Sequence, residues 1–270
     1  MWDVNSRCIN CMASRTMAPD LIEERDGRSA FIRQPTTEEE VIAAWRALEV
    51  CPTGAVRAPR ESMRPMGLFP QQLTANVFRL GFNARASYGA HSYFATTAGV
   101  RVMVDAPRWS SRLVDWISER GGLEHILLTH CDDVADAERY AKHFGARVWI
   151  HEDDAGSAPF ATDLLRGDQP QGPTPTIKVL AVPGHTRGSV MYLIEECYLF
   201  TGDSLAWNAV KHSLEAYRDV CWYDWTTQLQ SLRRLLGETF SWVLAGHGGS
   251  VALPPHQMKV QLDRFLSEQA

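Results

Sequence analysis

Four times along this chain an apolar, strand-like run ends on a residue that can ligate a metal. That repeated placement limits the architecture more than any other feature. Ile126–Thr129 leads into His130-Cys131-Asp132-Asp133, and Leu180–Val182 into Pro183-Gly184-His185-Thr186-Arg187-Gly188-Ser189. Tyr198–Thr201 leads into Gly202-Asp203-Ser204, and Trp242–Ala245 into Gly246-His247-Gly248-Gly249. Short apolar runs bounded by turn residues read as strands, and loops at strand ends are where a rigid sheet fixes functional groups. Glycine beside each of the last three lets the backbone turn sharply. Imidazoles and carboxylates together form a ligand set for zinc, iron or manganese. A single His or Asp at a strand end serves as a turn or cap residue. Asp132 and Asp133 stand where the N-cap of a helix over 133–144 belongs. Four such ends together exceed what capping requires.

Further strands are expected at 76–80, 92–97, 100–105, 147–150, 177–182 and 190–194, with helices at 111–120, 133–144 and 226–236. Strands alternating with helices imply sheets covered by helices. The first 58 residues form a unit of their own. There Thr36 and Glu39 suggest a capping box for a helix through Glu49, with Val41, Ile42, Trp45 and Leu48 at helical spacing. That helix delivers Cys51-Pro52-Thr53-Gly54. Residues 59–72, with Pro59, Pro65, Gly67 and Pro70, read as a linker to a second unit over 73–270. Pro170, Pro173 and Pro175 mark a surface loop.

Composition removes whole classes of function. Lys+Arg of 27 against Asp+Glu of 32 leaves a net charge of −5, the wrong sign for a dedicated nucleic-acid binder. No run of apolar residues is long enough to span a bilayer, and the N-terminus lacks a signal-like apolar core. The expectation is a cytoplasmic protein acting on a small-molecule substrate, with neither nucleic acid nor membrane as partner. The six cysteines are even in number, but without an export signal a disulfide framework is not expected.

Residues from about 73 to 270 resemble the metallo-β-lactamase superfamily, in the branch of glyoxalase II-like hydrolases. Pro183-Gly184-His185-Thr186-x-Gly188-Ser189 is similar to its second ligand motif, Thr201-Gly202-Asp203 to its bridging aspartate, and Gly246-His247-Gly248 to its last histidine. The resemblance implies an α/β fold, an αββα sandwich with the metal site at one edge between the sheets. The first motif departs from the family's His-x-His-x-Asp-His. Here Asp132 takes the second histidine's place, and Val134 and Ala135 the acid–histidine pair's. A second metal site is therefore expected to be weak or absent, leaving one zinc or iron ion. Two groupings stand for it: His130, Asp132 and His185 with Asp203, or His130, His185 and Asp203. Asp132 or Asp133 would orient water or complete the shell, and His247 would be a ligand or an acid near the leaving group.

Cys8-Ile9-Asn10-Cys11-Met12-Ala13-Ser14 with Cys51-Pro52-Thr53-Gly54-Ala55 is similar to a single-cluster ferredoxin domain, which implies a small α+β ferredoxin-like unit ahead of the sandwich. Cys8, Cys11 and Cys51 would bind an iron–sulfur cluster, but Ser14 stands where a third consecutive-motif cysteine belongs, and a hydroxyl is a poor substitute for thiolate. The cluster is then a three-cysteine form, a labile one, or lost. The resemblance implies hydrolysis of a thioester, ester or lactone by a metal-activated hydroxide. Two alternatives stand beside it: a non-haem iron oxygenase of thiols or persulfides, fed by the iron–sulfur unit and an electron-transfer partner, and a non-catalytic binding or scaffold protein. Asp105 is expected to orient loops. His91 and His151 are placed either near the site or at the surface. Cys131, Cys197 and Cys221 read as small buried hydrophobes, and Trp207, Trp222, Tyr223 and Trp225 as core with one or two lining substrate.

Overall fold

The computed structural model describes residues 1–269. Its N-terminal unit is built from β1 (Asp3–Val4), α1 (Ala13–Met17), the hairpin β2 (Ile22–Arg25) and β3 (Arg28–Phe31), α2 (Glu38–Val50) and β4 (Val56–Arg57). β4 returns to pair with β1. Trp2, Met17, Leu21, Trp45 and Val50 close a small core between the helices and strands. The α2 capping box lies one residue later than expected, on Thr37 and Glu40. The run Thr36-Thr37-Glu38-Glu39-Glu40 offers both pairings. The Glu40 carboxylate also accepts from the Thr36 amide and hydroxyl, at 2.7 and 3.0 Å, which favours the later one.

The segment expected as a linker, 59–72, is tied down at its far end. Leu68 is buried in the N-terminal core, and Gln71–Gln72 is already a strand, β5. β6 (Val77–Arg79), β7 (Tyr93–Thr97), β8 (Val100–Val104), α3 (Ser111–Ser118), β9 (His125–Leu127), α4 (Ala137–Phe144), β10 (Arg147–His151) and β11 (Asp163–Leu165) follow. They make a seven-stranded sheet in the order β11-β10-β9-β8-β7-β6-β5. A second sheet contains β12 (Ile177–Ala181), β13 (Val190–Ile194) and β14 (Tyr198–Gly202). After the hairpin β15 (Ala206–Asn208) and β16 (Ser213–Glu215) and helix α5 (Trp225–Arg234), it adds β17 (Trp242–Ala245) and β18 (Val251–Ala252). Its order is β12-β13-β14-β17-β18, and α6 (Pro255–Glu268) ends the fold.

Alternation along the strands sorts the side chains into layers, because successive residues point to opposite faces. In β13, Val190, Tyr192 and Ile194 meet Val102, Val104 and Leu127 of the other sheet, while Met191 and Leu193 turn to α5 and α6. In β8, Met103 turns the other way, toward Leu113 and Ile117 of α3 and Tyr140 of α4. The result is a four-layer α/β/β/α sandwich with three cores. Each large side chain fully buried in it contributes about 1.5–3 kcal/mol. Among the described residues no helix is long and apolar enough to cross a membrane.

The helix expected over 133–144 begins only at Ala137. Its N-cap position is Asp136, whose carboxylate instead accepts the Trp109 amide at 2.6 Å. Neither Asp132 nor Asp133 caps it. Residues 133–136 form a loop, and the loop enters the site.

Candidate metal centre

The sheets deliver the ligand loops to one edge. β14 and β17 run parallel as neighbours, so the loops carrying Asp203 and His247 leave side by side. β9, in the other sheet, carries His130. Two tyrosines fasten these ends across the sandwich: Tyr192 Oη donates to the Leu128 carbonyl at 2.9 Å, and Tyr93 Oη to the Ala245 carbonyl at 2.7 Å. Glycine is required at two places. Gly202 has φ +50°, and a Cβ there would stand 2.5 Å from Thr129 Oγ1; at Gly246 one would stand 2.8 Å from Asp203 Oδ1 and 2.9 Å from Asp133 Oδ2.

Asp203 is the hub. Its Oδ2 lies 3.6 Å from His130 Nε2, 3.7 Å from His185 Nε2 and 3.9 Å from His247 Nε2. Asp132, half-exposed at the mouth, places its Oδ2 3.5 Å from His185 Nε2 and 3.9 Å from His130 Nε2. Two overlapping sets can each hold an ion: His130, His185 and Asp203, and Asp133, Asp203 and His247. Buried polar atoms without partners cost free energy unless something binds them. Here those atoms are His130 Nε2, His185 Nε2, Asp203 Oδ1 and both Asp133 oxygens. The donor set therefore fits a metal. A weak or absent second metal site was expected; Asp133, Asp203 and His247 nonetheless lie close enough together to hold an ion. Asp133 falls on neither position of the acid–histidine pair, yet the late start of α4 turns its carboxyl inward.

Further contacts orient the ligands. His130 Nδ1 donates to Thr129 Oγ1 at 2.9 Å, and that hydroxyl donates to Asp105 at 2.9 Å. Asp105 also accepts the Thr129 amide at 2.8 Å, so it fixes the loop. Holding one ring nitrogen as a donor leaves the other free to ligate. Asp154 had no signal in the sequence. Its carboxylate accepts from the Cys131 amide at 3.0 Å, the Thr186 hydroxyl at 2.6 Å and the Gly188 amide at 3.0 Å, bracing the His130 and His185 loops together.

So much buried charge has consequences for titration. Burial pushes Asp105 up to about 8, against the Thr129 hydrogen bonds that pull it down. Burial, then the charges of Asp203, Asp105 and Asp132, hold Asp133 far above the usual carboxylate range. Burial also raises Asp203, but His247, His130 and His185 outweigh it and leave the group lowered. For His185 burial is outweighed by Asp132 and Asp203, and its pKa rises, whereas burial lowers His130 and His91. Below about pH 8 the metal-free native state thus retains on Asp105 a proton that the unfolded chain has released, and the raised Asp133 and His185 act in the same direction. Stability falls with rising pH wherever the native state binds more protons; below pH 6.5 His130 and His91 oppose the trend. Urea unfolding of chelator-treated protein is expected to show a lower midpoint at about pH 8 than at pH 6.5. An equal or higher midpoint would contradict this account.

This architecture recurs in solved structures. A metallo-β-lactamase from Erythrobacter litoralis superposes with TM-score 0.56 at 14% identity, covering 73% of this chain and 95% of that one. ETHE1 from Myxococcus xanthus superposes at 0.53 and 21% identity, covering 69% and 83%. Among curated sequences, a hydroxyacylglutathione hydrolase of Acidiphilium cryptum is 33% identical over 125 residues, 43% of this chain and 49% of that protein. The chain has the metallo-β-lactamase fold and is similar in sequence to hydrolases of that superfamily. An atrochrysone carboxyl ACP thioesterase of Claviceps purpurea is 27% identical over 206 residues, 71% of this chain and 62% of that protein. The chain spans about half to two thirds of the length of these two relatives. A family model described as the 4Fe-4S single cluster domain of ferredoxin I matches residues 4–58.

Ahead of the metallo-β-lactamase sandwich, the three motif cysteines share one corner of the ferredoxin-like unit. Cys8 Sγ accepts the Asn10 and Ser29 amides at 3.4 Å each, and Cys51 Sγ accepts the Ala55 amide at 3.1 Å. Burial raises Cys11 to about 11. Ser14 is buried with its hydroxyl donated to the Ala47 carbonyl at 2.9 Å, committed to the α1–α2 contact. Three thiols and a committed hydroxyl do not fit a four-thiolate cluster. The six cysteines are all unpaired. His91 lies neither at the surface nor among the ligands: it is buried between Asn83 and the Thr16 hydroxyl, 2.9 Å away. His151 is buried, its Nδ1 accepting the Asp153 amide. Trp207 and Trp225 join the core, while Trp222 and Tyr223 are exposed beside His185.

Proposed function

We propose that this chain is a metal-dependent hydrolase of thioester bonds, with His130, His185 and Asp203 as ligands of one ion and Asp133, Asp203 and His247 of a second. The observation that carries the reading is the approach of the buried, unpartnered His130 and His185 Nε2 atoms to one Asp203 carboxylate oxygen. A bound ion at such a site supplies polarisation of a carbonyl and acidifies a water to near neutral pH. The chain's own groups do the rest. Asp132, held down to about 2 chiefly by His185 beside it, is an ionised acceptor at the mouth that can orient the attacking water and take its proton. The water oxygen bonds to the acyl carbon, the acyl–sulfur bond breaks, and the proton passes to the departing thiolate. Trp222, its ring 6.4 Å from that of His185, and Tyr223, under the Arg187 guanidinium, form an exposed wall for the acyl or thiol arm.

The names of the relatives support the choice of bond, since one is called an ACP thioesterase and another a hydroxyacylglutathione hydrolase. The test compares a thioester, an oxygen ester and a lactone of similar acyl groups, with zinc- and iron-loaded protein. Thiol release that a chelator abolishes is the expected result. No turnover by either loaded form would overturn the reading. Oxygen uptake by the iron form without thiol release would move the assignment to the redox alternative.

A further inference from the structure

The ferredoxin-like unit touches the metal centre through its backbone. His247 presents Nε2 to Asp203, and its other ring nitrogen, Nδ1, donates to the Cys11 carbonyl at 3.3 Å. That carbonyl is aimed by an uncommon turn: Asn10 and Met12, neither a glycine, have φ +59° and +67°. Single residues in this left-handed region persist where surrounding contacts over-determine them, and here the contacts come from the sandwich. The Tyr88 hydroxyl donates to the Ile9 carbonyl, and the Tyr88 ring lies 6.1 Å from that of His247. Gly89, at φ +89°, admits the Cys11 sulfur to within 2.8 Å of where a Cβ would be. Thr16, on α1, meets buried His91, whose own amide donates to the Gly246 carbonyl at 2.8 Å.

We propose that the cysteine loop is a working part of the metal centre: the Cys11 carbonyl positions His247 and fixes its tautomer, leaving Nε2 free to ligate. This rests on the reading of Asp133, Asp203 and His247 as a metal set. A ligating histidine is oriented by whatever accepts its other ring proton, and losing such a partner weakens metal binding about 10- to 100-fold. In this chain the partner comes from the opposite end of the polypeptide. Cys11 is thus a positioning residue through its main chain, whatever its sulfur binds.

The test replaces the Cys11–Met12 amide by an ester, introducing the α-hydroxy analogue of methionine at position 12 of the full chain. An ester carbonyl is a weaker acceptor. The Met12 amide lost with it is not a donor in the hydrogen bonds found among the described residues. Tyr88→Phe, which frees the Ile9 carbonyl, is the second variant. Two readouts need no substrate: ¹⁵N histidine spectra of metal-free protein, and cobalt(II) titration followed by its visible absorption. Expected are a His247 protonated on Nδ1 in the unmodified protein, a shift toward the other tautomer in the ester, and roughly tenfold weaker binding of one of two cobalt ions. Tyr88→Phe should move both in the same direction. Unchanged tautomer and cobalt affinities in the ester protein would overturn the proposal while leaving the metal reading intact. Fewer than two cobalt ions on the unmodified protein would overturn both.

Discussion

Replacing His185 by alanine is expected to remove the ion of the His130–His185–Asp203 set and to lower thioester turnover by about 10³-fold. That factor corresponds to about 4 kcal/mol of barrier, of the size expected when Lewis-acid stabilisation of a developing oxyanion is lost. The imidazole is nearly buried and its Nε2 has no hydrogen-bond partner, so its loss leaves Asp132 and Asp203 with one facing imidazole fewer. His185→Gln, closer in volume, guards against a packing artefact. Metal analysis beside initial rates decides the matter. A variant that stays fully active, or keeps its full complement of metal, would show that His185 is no ligand.

The second large effect has opposite signs in two measurements. Asp133→Asn conserves the shape of a completely buried carboxyl that burial, then Asp203, Asp105 and Asp132, hold far above the carboxylate range, so that folding requires it to take up a proton the unfolded chain has released. Metal-free Asp133→Asn protein should therefore be more stable than the parent at about pH 8, by about 1–3 kcal/mol on the scale of buried polar penalties. The same change should cost one bound ion and about 10²-fold in turnover, because the amide has no charge with which to hold it. A more stable protein that binds less metal is the signature of a ligand kept at the expense of the fold. If Asp133→Asn lowers stability and leaves both ions in place, Asp133 is a structural group.

The contrast between the readable and unreadable parts of this site is physical. His130, His185, Asp203 and His247 each follow an apolar strand, and three carry adjacent glycines, of which Gly246 passes close to two carboxylates. Local sequence encodes such features, and these four side chains end within reach of one another. Asp133 was harder, because its inward turn depends on α4 starting at Ala137, and Asp136 looks equally suited to either role. The capping box moved by one residue for a similar reason, with two threonines facing three glutamates. Asp154 acts through contacts with residues 131, 186 and 188, and nothing near it in sequence announces them. The Cys11 carbonyl has no signal at all, since every residue possesses one. Sheets covered by helices were legible from strands alternating with helices, and the αββα sandwich from the resemblance carried by the ligand motifs. The attachment of residues 68–72 was not, since prolines marked that stretch as connection while Leu68 supplies packing.

The dependence of the centre on β17 also orders its assembly during synthesis. The candidate ligands lie at 130, 133, 185, 203 and 247, and His247 stands in the turn of the final hairpin, β17–β18, ahead of α6. At roughly 5–20 residues per second a ribosome makes the sandwich's first ligand well before its last. A nascent chain exposes His130, Asp133, His185 and Asp203 while His247 is still unmade. The set of Asp133, Asp203 and His247 is therefore the last to be completed, after the donors of the His130–His185–Asp203 set have all been made.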